Sequence, residues 1–158
     1  MSSGLFPERD ENSHYFSRAD INNPFGTFSK HGFFLDDKEW PSVEHYFQAN
    51  KFDDVQMQEK IRLSPHPKKA RKMGRNRFKK IRSDWKKVKT TVMTRAVYTK
   101  CRTHPEIAEQ LLNTGDAKLV ENSQYDYFWG CGRDRRGDNQ YGVVLMRVRA
   151  KLLEESAK

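Results

Sequence analysis

The stretch SDWKKVKTTVMTRAVYTKC, residues 83–101, decides how this chain folds. Trp85, Val88 and Val92 recur at the spacing of one face of an α-helix. Ser83-Asp84 precede that face and are typical of a helix start, because their side chains accept from free backbone N–H groups. The stretch therefore predicts a long amphipathic helix that forms the core of the fold.

Three further elements are predicted after this helix. Residues 103–106 have the spacing of a capping box, and the short helix that they begin ends at Gly115. Lys118–Glu121 predicts a short strand, and Tyr141–Glu155 has the apolar spacing of a closing helix. Between them, residues 122–139 form a long glycine-containing loop, and long ordered loops in small domains are often functional.

Before the core helix, the chain alternates short helices with turns. Helices are predicted over Pro67–Gly74, Val55–Leu63 and from Ser42 to about Phe52. Residues 33–40 read as a short hairpin with Asp-Asp at its turn. Residues 1–20 are mixed in composition and rich in turn formers, so an irregular segment is expected there.

The size and composition of the chain fit one compact domain. With 158 residues, 35% hydrophobic and 12% aromatic, it is long enough to bury one core. We expect a single domain over residues 1–158, mainly α (α+β), with about six helices and a few short strands. The sequence has neither a long apolar run nor a secretory signal, which favours a cytoplasmic protein. Cys101 and Cys131 are too few for a zinc ribbon, so free thiols are expected.

The charge of the chain points to an anionic partner. The formal net charge is +9, and much of the excess lies between Lys68 and Lys89. Such a charge attracts phosphate esters, nucleotides or nucleic acid. Most charge runs are solvated helix faces, and that explanation suffices for most of these lysines. Arg75 is the exception, because it follows Gly74 at a predicted helix end and a guanidinium binds phosphate in a bidentate manner.

Glu44 and His45 are two rival candidates for chemistry in the segment WPSVEHYFQA. Near a helix start, Glu44 is explained by its interaction with the positive end of the helix. It would also stabilise a ribose whose anomeric carbon gains positive charge as a bond to nitrogen breaks. His45 has a reference pKa near neutrality, but adjacent helical residues point about 100° apart, so the two cannot easily share a small site. We expect His45 to be a packing or hydrogen-bonding residue.

A second candidate group is Asp126-Tyr127-Phe128-Trp129-Gly130 in the long loop. Glycine permits close backbone approach, and Trp129 is suited to stacking on a planar base. A turn-rich loop pinned by a buried tryptophan explains the same residues equally well. Fingerprints of dinucleotide, P-loop, zincin and GxSxG chemistry are absent, so hydrolysis by side chains, without a metal or other cofactor, is the simplest enzymatic reading.

Four segments together resemble the YbiA-like, or NADAR, family. They are WPSVEHYFQANKF at residues 40–52, MGRNR at 73–77, WKKVKTTVMTRA at 85–96, and the D-x-x-W-G pattern at 126–130. The resemblance implies a mainly helical domain that hydrolyses N-glycosidic bonds without a metal or redox cofactor. The implied substrates are ribosylamino-pyrimidine phosphates of riboflavin biosynthesis, which are small phosphorylated N-ribosides. No membrane and no obligate protein partner is expected.

Two alternatives stay open. Other members of the family are similar to hydrolases that release ADP-ribose from modified guanine, in which case ADP-ribosylated nucleic acid would be the partner. A module that binds ADP-ribose or nucleic acid without cleaving it would show saturable binding and no product, whereas simple phosphate attraction would weaken steeply with salt.

The resemblance also assigns roles to residues. Glu44 would be the essential catalytic carboxylate. The residues implied to bind substrate are Asp126, Trp129 and Gly130 in the loop, and Lys51, Arg75, Asn76 and Asn139 for phosphate or ribose. The chain departs from the family pattern at Lys30, His31 and Cys131, which leaves the contacts made at those positions open.

Overall fold

The computed structural model describes residues 12–157, which pack around one shared core. Six helices and four short strands lie in this range, so the predicted class, mainly α with a few strands, is confirmed. In chain order they are β1 Ser13–Phe16, β2 Phe33–Leu35, β3 Lys38–Trp40, α1 Val43–Ala49, α2 Val55–Arg62, α3 Pro67–Gly74, α4 Trp85–Thr103, α5 Pro105–Asn113, β4 Lys118–Glu121 and α6 Gln140–Ser156.

Helix α1 lies at the centre of the fold, since all of its residues are buried. It packs against α2, α3 and α4. Ser42 begins the helix, because its Oγ accepts from the amide of His45 at 3.2 Å. The helix ends at Ala49 rather than near Phe52 as predicted, because the amides of Lys51 and Phe52 turn back to carbonyls only three residues earlier. Because each residue of α1 is buried, its side chains are packed against the surrounding elements.

Helix α4 is the long core helix that the sequence predicts. Its inner face buries Val92, Met93, Ala96 and Val97, and it packs against α1, α5 and α6. It runs two residues past the predicted end and stops before Pro105, which cannot continue a helix. The predicted helices that became α2, α3, α5 and α6 are confirmed, each within one residue or two of its expected bounds.

The hairpin of β2 and β3 is confirmed with the predicted Asp-Asp turn. Phe33 pairs with Trp40, and Asp36 and Asp37 both have positive φ, 54° and 64°. A two-residue hairpin turn of this hand needs left-handed backbone at both positions, and aspartate tolerates it better than most residues.

The irregular segment predicted for residues 1–20 is wrong at residues 13–16, whereas residues 17–20 are turn and loop as predicted. Residues 1–11 lie outside the described part of the chain, but Ser13–Phe16 is a strand that pairs in parallel with β4, Phe16 opposite Glu121. A four-residue strand with one buried side chain has no readable alternation. Its partner is more than a hundred residues away, so local patterns could not reveal the pairing.

The buried side chain of Lys100 on α4 holds the loop that precedes β2. Its Nζ donates to the carbonyls of Pro24 at 2.6 Å and Gly26 at 3.0 Å, and to Ser29 Oγ at 3.1 Å. Burial lowers the pKa of this lysine to about 8. Because the same loop carries Thr27, Lys100 connects the core helix to the residues around Glu44.

We expect Lys100→Met to lower the free energy of unfolding by about 1–3 kcal/mol, because three acceptors lose their donor while remaining covered. Urea denaturation followed by circular dichroism measures the change. Lys87→Met, on the exposed side of the same helix, is the matched control and should change stability by less than about 0.5 kcal/mol. Equal stability of the two variants would show that the loop is held by other contacts.

Candidate active site

A cavity of about 210 Å³ opens where α1, α3 and α4 meet the loops after β1 and β4. Its walls combine five cations, two carboxylates and three aromatic rings with one amide and one thioether. The lining residues are Arg18, Lys51, Arg71, Arg75, Lys89, Glu44, Asp126, Phe47, Trp85, Trp129, Gln48 and Met93. The structure thus brings together five of the predicted site residues: Glu44, Lys51, Arg75, Asp126 and Trp129.

Glu44 lies in the first turn of α1, yet its carboxylate interacts with side chains rather than with the helix end. Thr27 Oγ1 donates to Oε2 at 2.6 Å, and Gln48 Nε2 donates to Oε1 at 2.7 Å. Arg71 on α3 donates to both oxygens, from Nε at 2.9 Å and from Nη2 at 3.4 Å. The carboxylate is therefore fixed on three sides.

Glu44 remains ionised in this environment. Burial alone would raise its pKa, but the nearby charge of Arg71 and the hydrogen bonds from Arg71, Thr27 and Gln48 lower it below the usual value. A buried carboxylate with such partners supplies fixed negative charge and not a proton. That property suits the stabilisation of a developing cation.

His45 turns away from the cavity, as predicted. Its Nδ1 lies 2.7 Å from Ser42 Oγ and its Nε2 lies 3.0 Å from the carbonyl oxygen of Ser64. Burial lowers its pKa, although the Ser64 carbonyl and Glu44 act in the opposite direction. The expectation that His45 packs and hydrogen-bonds is confirmed. Of the two rival candidates on α1, it is Glu44 that lines the cavity.

Asp126 is the second carboxylate and the more exposed of the two, with 25% of its side chain accessible. Its Oδ1 accepts from the amides of Phe128 at 3.0 Å and Trp129 at 2.7 Å, and its Oδ2 accepts from Arg18 at 2.6 Å. Burial raises its pKa, but Arg18 and the two amides outweigh that effect and lower it. Asp126 thus shapes the turn that presents Trp129.

The aromatic wall is both part of the core and part of the cavity. Trp129 contacts Phe47 edge to face at 5.5 Å and Phe128 at 4.8 Å between ring centroids, and Phe47 also packs on Trp85 at 5.0 Å. The interpretation in which a buried tryptophan pins the loop is therefore confirmed, while stacking of Trp129 on a base stays a prediction. Trp129 pins the loop, and it also lines the cavity.

Cations form much of the cavity lining beside the carboxylates. Burial, followed by the charges of Arg75 and Arg71, lowers the pKa of Lys51 to about 8 even though Glu44 acts in the opposite direction. Arg75, the residue after α3, also has a lowered pKa, from burial and then from Arg71. Lys89 on α4 lies 3.6 Å above the Phe128 ring. Crowded cations of this kind are stabilised by an anion.

Three predicted site residues lie elsewhere. Asn76 Oδ1 accepts from the amide of Phe78 on the surface. Asn139 bridges β4 and α6, because its amide group bonds to the backbone of Leu119 and Glu121. Gly130 is packed so closely that an added Cβ would lie 2.8 Å from Glu121 Oε1. All three keep loops in place and none lines the cavity.

Several residues of the site are missed by the sequence patterns. Arg18 falls in the segment predicted to be irregular, and Arg71 falls in a basic run whose lysines are mostly solvated. The signal that could find Arg71 is its position between buried Ala70 and Gly74 on α3, since a polar residue beside small buried ones faces a neighbouring helix. Nothing local identifies Arg18 or Thr27.

The arrangement of these segments matches a known family. The family model described as the NADAR domain matches residues 5–153. The chain belongs to the NADAR domain family. The resemblance drawn from the four sequence segments is thereby confirmed, and it extends through every helix that contributes to the cavity.

Relatives of known name are similar over most of the chain. The N-glycosidase YbiA of Escherichia coli is 40% identical over 141 residues, 89% of this chain and 88% of that protein. The NMR structure of E. coli YbiA matches with a TM-score of 0.84 at 38% identity, covering 95% of this chain and 90% of that chain. The N-glycosidase Npun_R5314 of Nostoc punctiforme is 44% identical over 131 residues, 81% of this chain and 84% of that protein. Riboflavin biosynthesis protein PYRR of Zea mays is 38% identical over 154 residues, covering 88% of this chain but 25% of that protein.

The departures from the family pattern lie outside the cavity of this NADAR domain. Lys30 is exposed, and the ring of His31 packs edge to face on His104 at 5.1 Å. Cys131 is buried in the loop after β4, where its thiol donates to the carbonyl of Gly132. None of the three lines the cavity around Glu44.

We expect Arg18→Met to lower the free energy of unfolding by about 3–5 kcal/mol, because it leaves Glu121 charged and buried without its partner. Guanidinium denaturation measures the loss. Arg133→Met, on the exposed part of the loop after β4, is the control. Glu121→Gln added to Arg18→Met should restore part of the loss, and a double variant no more stable than the single one would contradict this assignment.

Proposed function

We propose that this protein is an N-glycosidase that hydrolyses the bond between ribose and a nitrogen base in small phosphorylated N-ribosides. The observation that carries the proposal is the ionised, buried carboxylate of Glu44 in a cavity that also offers aromatic rings and an excess of cations. Each of the three features suits one part of such a substrate.

The carboxylate suits the reacting carbon. As the bond between C1 of ribose and nitrogen breaks, positive charge develops on the ring, and a preorganised anion stabilises that state. Water then forms the new C1–O bond, its proton passes to a base, and the leaving nitrogen takes up a proton. Glu44 supplies the fixed charge. Asp126, ionised and more exposed, is available to orient the water and accept its proton.

The other two walls suit the ends of the substrate. Trp129, with Phe47 and Trp85, offers flat apolar surface to a planar base. Lys51 and Arg75 offer a concentrated positive charge to a phosphate. The formal net charge of +9 adds long-range attraction for an anion.

The names of the relatives support the substrate class. Two of them are N-glycosidases, and the maize relative, of which this chain spans a quarter, is a riboflavin biosynthesis protein. We therefore infer ribosylamino-pyrimidine phosphates of riboflavin biosynthesis as the substrates. No finding favours ADP-ribosylated guanine or a non-catalytic module, and both serve as outcomes of the same assay.

Other expectations from the sequence stay predictions, namely a cytoplasmic location, no cofactor and no obligate protein partner. Between residues 12 and 157, no helix is long and apolar enough to cross a bilayer. In the same part of the chain, no group of three or more His, Cys, Asp or Glu side chains is arranged to hold a metal ion.

We expect Glu44→Gln to lower kcat for a ribosylamino-pyrimidine 5-phosphate by about 10²–10³-fold, because an amide cannot stabilise the cationic ribose. Release of base and ribose 5-phosphate, measured by chromatography with mass detection, reports turnover. Glu109→Gln, which removes an exposed carboxylate from α5, is the control and should keep wild-type kcat. A folded Glu44→Gln enzyme with wild-type kcat would refute the role of this carboxylate.

Phosphate binding should depend on pH through Lys51. Because its pKa is about 8, Lys51 is charged below that pH and neutral above it. We expect inorganic phosphate to bind about three- to tenfold more weakly at about pH 9.5 than at about pH 7.5. Phosphate is mainly a dianion at both pH values, so the change reflects the charge of Lys51. Isothermal titration calorimetry measures the affinity.

Lys51→Arg should remove most of that drop, because arginine stays charged at both pH values. Lys60→Arg on the exposed side of α2 should leave the drop unchanged. If Lys51→Arg showed the same fall in affinity as the wild type, Lys51 would not be the group that titrates.

A further inference from the structure

Arg71 stands between two recesses of the protein. On one side its guanidinium lies on Glu44 in the cavity described above, and on the other it stacks 4.4 Å above the centre of the Phe28 ring. That second side borders a groove of about 710 Å³ lined by Ala19, Phe28, Lys68, Arg71, Lys72 and Arg75. The groove has four cations and no carboxylate among its lining residues.

In this arrangement Glu44 lines the cavity but exposes little of its carboxylate to a substrate. Only 2% of its side chain is exposed, and Arg71 covers both oxygens. A carboxylate bound in this way keeps its charge, but that charge is already neutralised at contact distance. To stabilise a cationic ribose, Glu44 must lose the guanidinium on one side.

Arg71 is the partner of Glu44 that is able to leave. Thr27 and Gln48 are both buried, whereas 18% of the Arg71 side chain is accessible. Its stacking on Phe28 does not depend on Glu44, and cation–π contact would stabilise it in the groove as well. With Arg71 withdrawn, Thr27 and Gln48 would still orient the carboxylate by one hydrogen bond each.

A phosphate is the group that would draw Arg71 away. A phosphate dianion carries twice the charge of Glu44 and accepts a guanidinium through two parallel hydrogen bonds. Arg75, the residue after α3, borders both recesses and would share the same anion. Burial, and after it the charge of Arg71, lowers the pKa of Arg75. A phosphate between Arg71 and Arg75 would also relieve their mutual repulsion.

We propose that Arg71 is a positioning residue that shields Glu44 in the unliganded protein and moves onto the phosphate of the substrate, which frees the carboxylate to face the ribose. The proposal rests on the proposed N-glycosidase function. Its consequence is that the phosphate contributes to kcat as well as to binding. A dephosphorylated N-riboside would meet a Glu44 that is still paired.

The kinetic test compares kcat for an N-riboside 5-phosphate and its dephosphorylated form. In the wild type we expect kcat to favour the phosphorylated substrate by about tenfold or more, the order of one charge-assisted hydrogen bond. In Arg71→Met the ratio should fall to within about threefold of unity, mainly because the dephosphorylated substrate gains. Arg71→Lys should recover part of the ratio, and Lys69→Met on the exposed side of α3 should keep it.

Two kinetic results would overturn the proposal. One is a wild type that shows no preference in kcat. The other is an Arg71→Met enzyme that keeps the kcat ratio while its KM for the phosphorylated substrate rises, since Arg71 would then be a phosphate contact without influence on Glu44.

A spectroscopic test does not depend on turnover. The Nε–H resonance of Arg71, assigned by its loss in Arg71→Lys, should shift saturably in ¹H–¹⁵N spectra as inorganic phosphate is added. In Glu44→Gln without phosphate, the Arg71 Nε–H resonance should already be shifted toward its position in the phosphate-bound wild type. A resonance that stays unmoved at saturating phosphate would overturn the proposal even if Arg71→Met failed to fold. If the wild type hydrolysed neither riboside, the proposed function would fail, and this measurement would still decide whether Arg71 moves.

Discussion

Arg18 connects the parts of the chain that surround the cavity. Its backbone amide and its Nη1 both donate to Glu121, at 2.6 and 2.9 Å, and its Nη2 donates to Asp126. Its carbonyl oxygen lies 3.2 Å from Thr27 Oγ1, and that hydroxyl donates its single proton to Glu44 at 2.6 Å. The two carboxylates of the cavity thus depend on one arginine that follows a four-residue strand. The parallel pairing of β1 with β4 matters because it puts Arg18 there.

The sequence predicts the helices well because their apolar residues recur at helical spacing and because prolines mark several of their ends. The side-chain cap expected from Ser83-Asp84 is not formed at the start of α4. The pattern of Trp85, Val88 and Val92 is enough to predict α4, and two prolines are enough to separate α2 from α3. What it does not predict depends on distant partners. Arg18 has the appearance of an ordinary basic residue, since nothing in its neighbourhood indicates that it will neutralise a carboxylate from another part of the chain. For Arg71, the small neighbours Ala70 and Gly74 indicate that it faces another helix, but they do not identify the carboxylate that it meets.

The residues of the candidate site show the same difference between what local sequence patterns indicate and what distant contacts determine. Spacing alone leaves Glu44 explained by the helix end, and the resemblance to a family raises it to a catalytic candidate. The geometry then gives a third description, in which the carboxylate avoids the helix end and meets Thr27, Gln48 and Arg71. Asn76 and Asn139 show the opposite case. Asn76 belongs to a segment that resembles the family, whereas Asn139 lies outside the four segments, and the amides of both are used by the backbone. A family motif therefore includes residues that hold loops as well as residues that line the cavity.

The ion pairs Arg18–Glu121 and Arg71–Glu44 differ in a way that bears on their roles. A buried pair adds little net stability, since the free energy lost on desolvating both ions is comparable to their attraction. Arg18 and Glu121 are 6% and 0% exposed, and their bonds extend to the backbone, so that pair serves to hold segments in register. Arg71, by contrast, is three times as exposed as Arg18, bonds only to a side chain, and borders two recesses. An apolar pair would fill the same space without the desolvation cost, so the presence of Glu44 and Arg71 in a cavity wall is better explained by a charge that must become available than by stability.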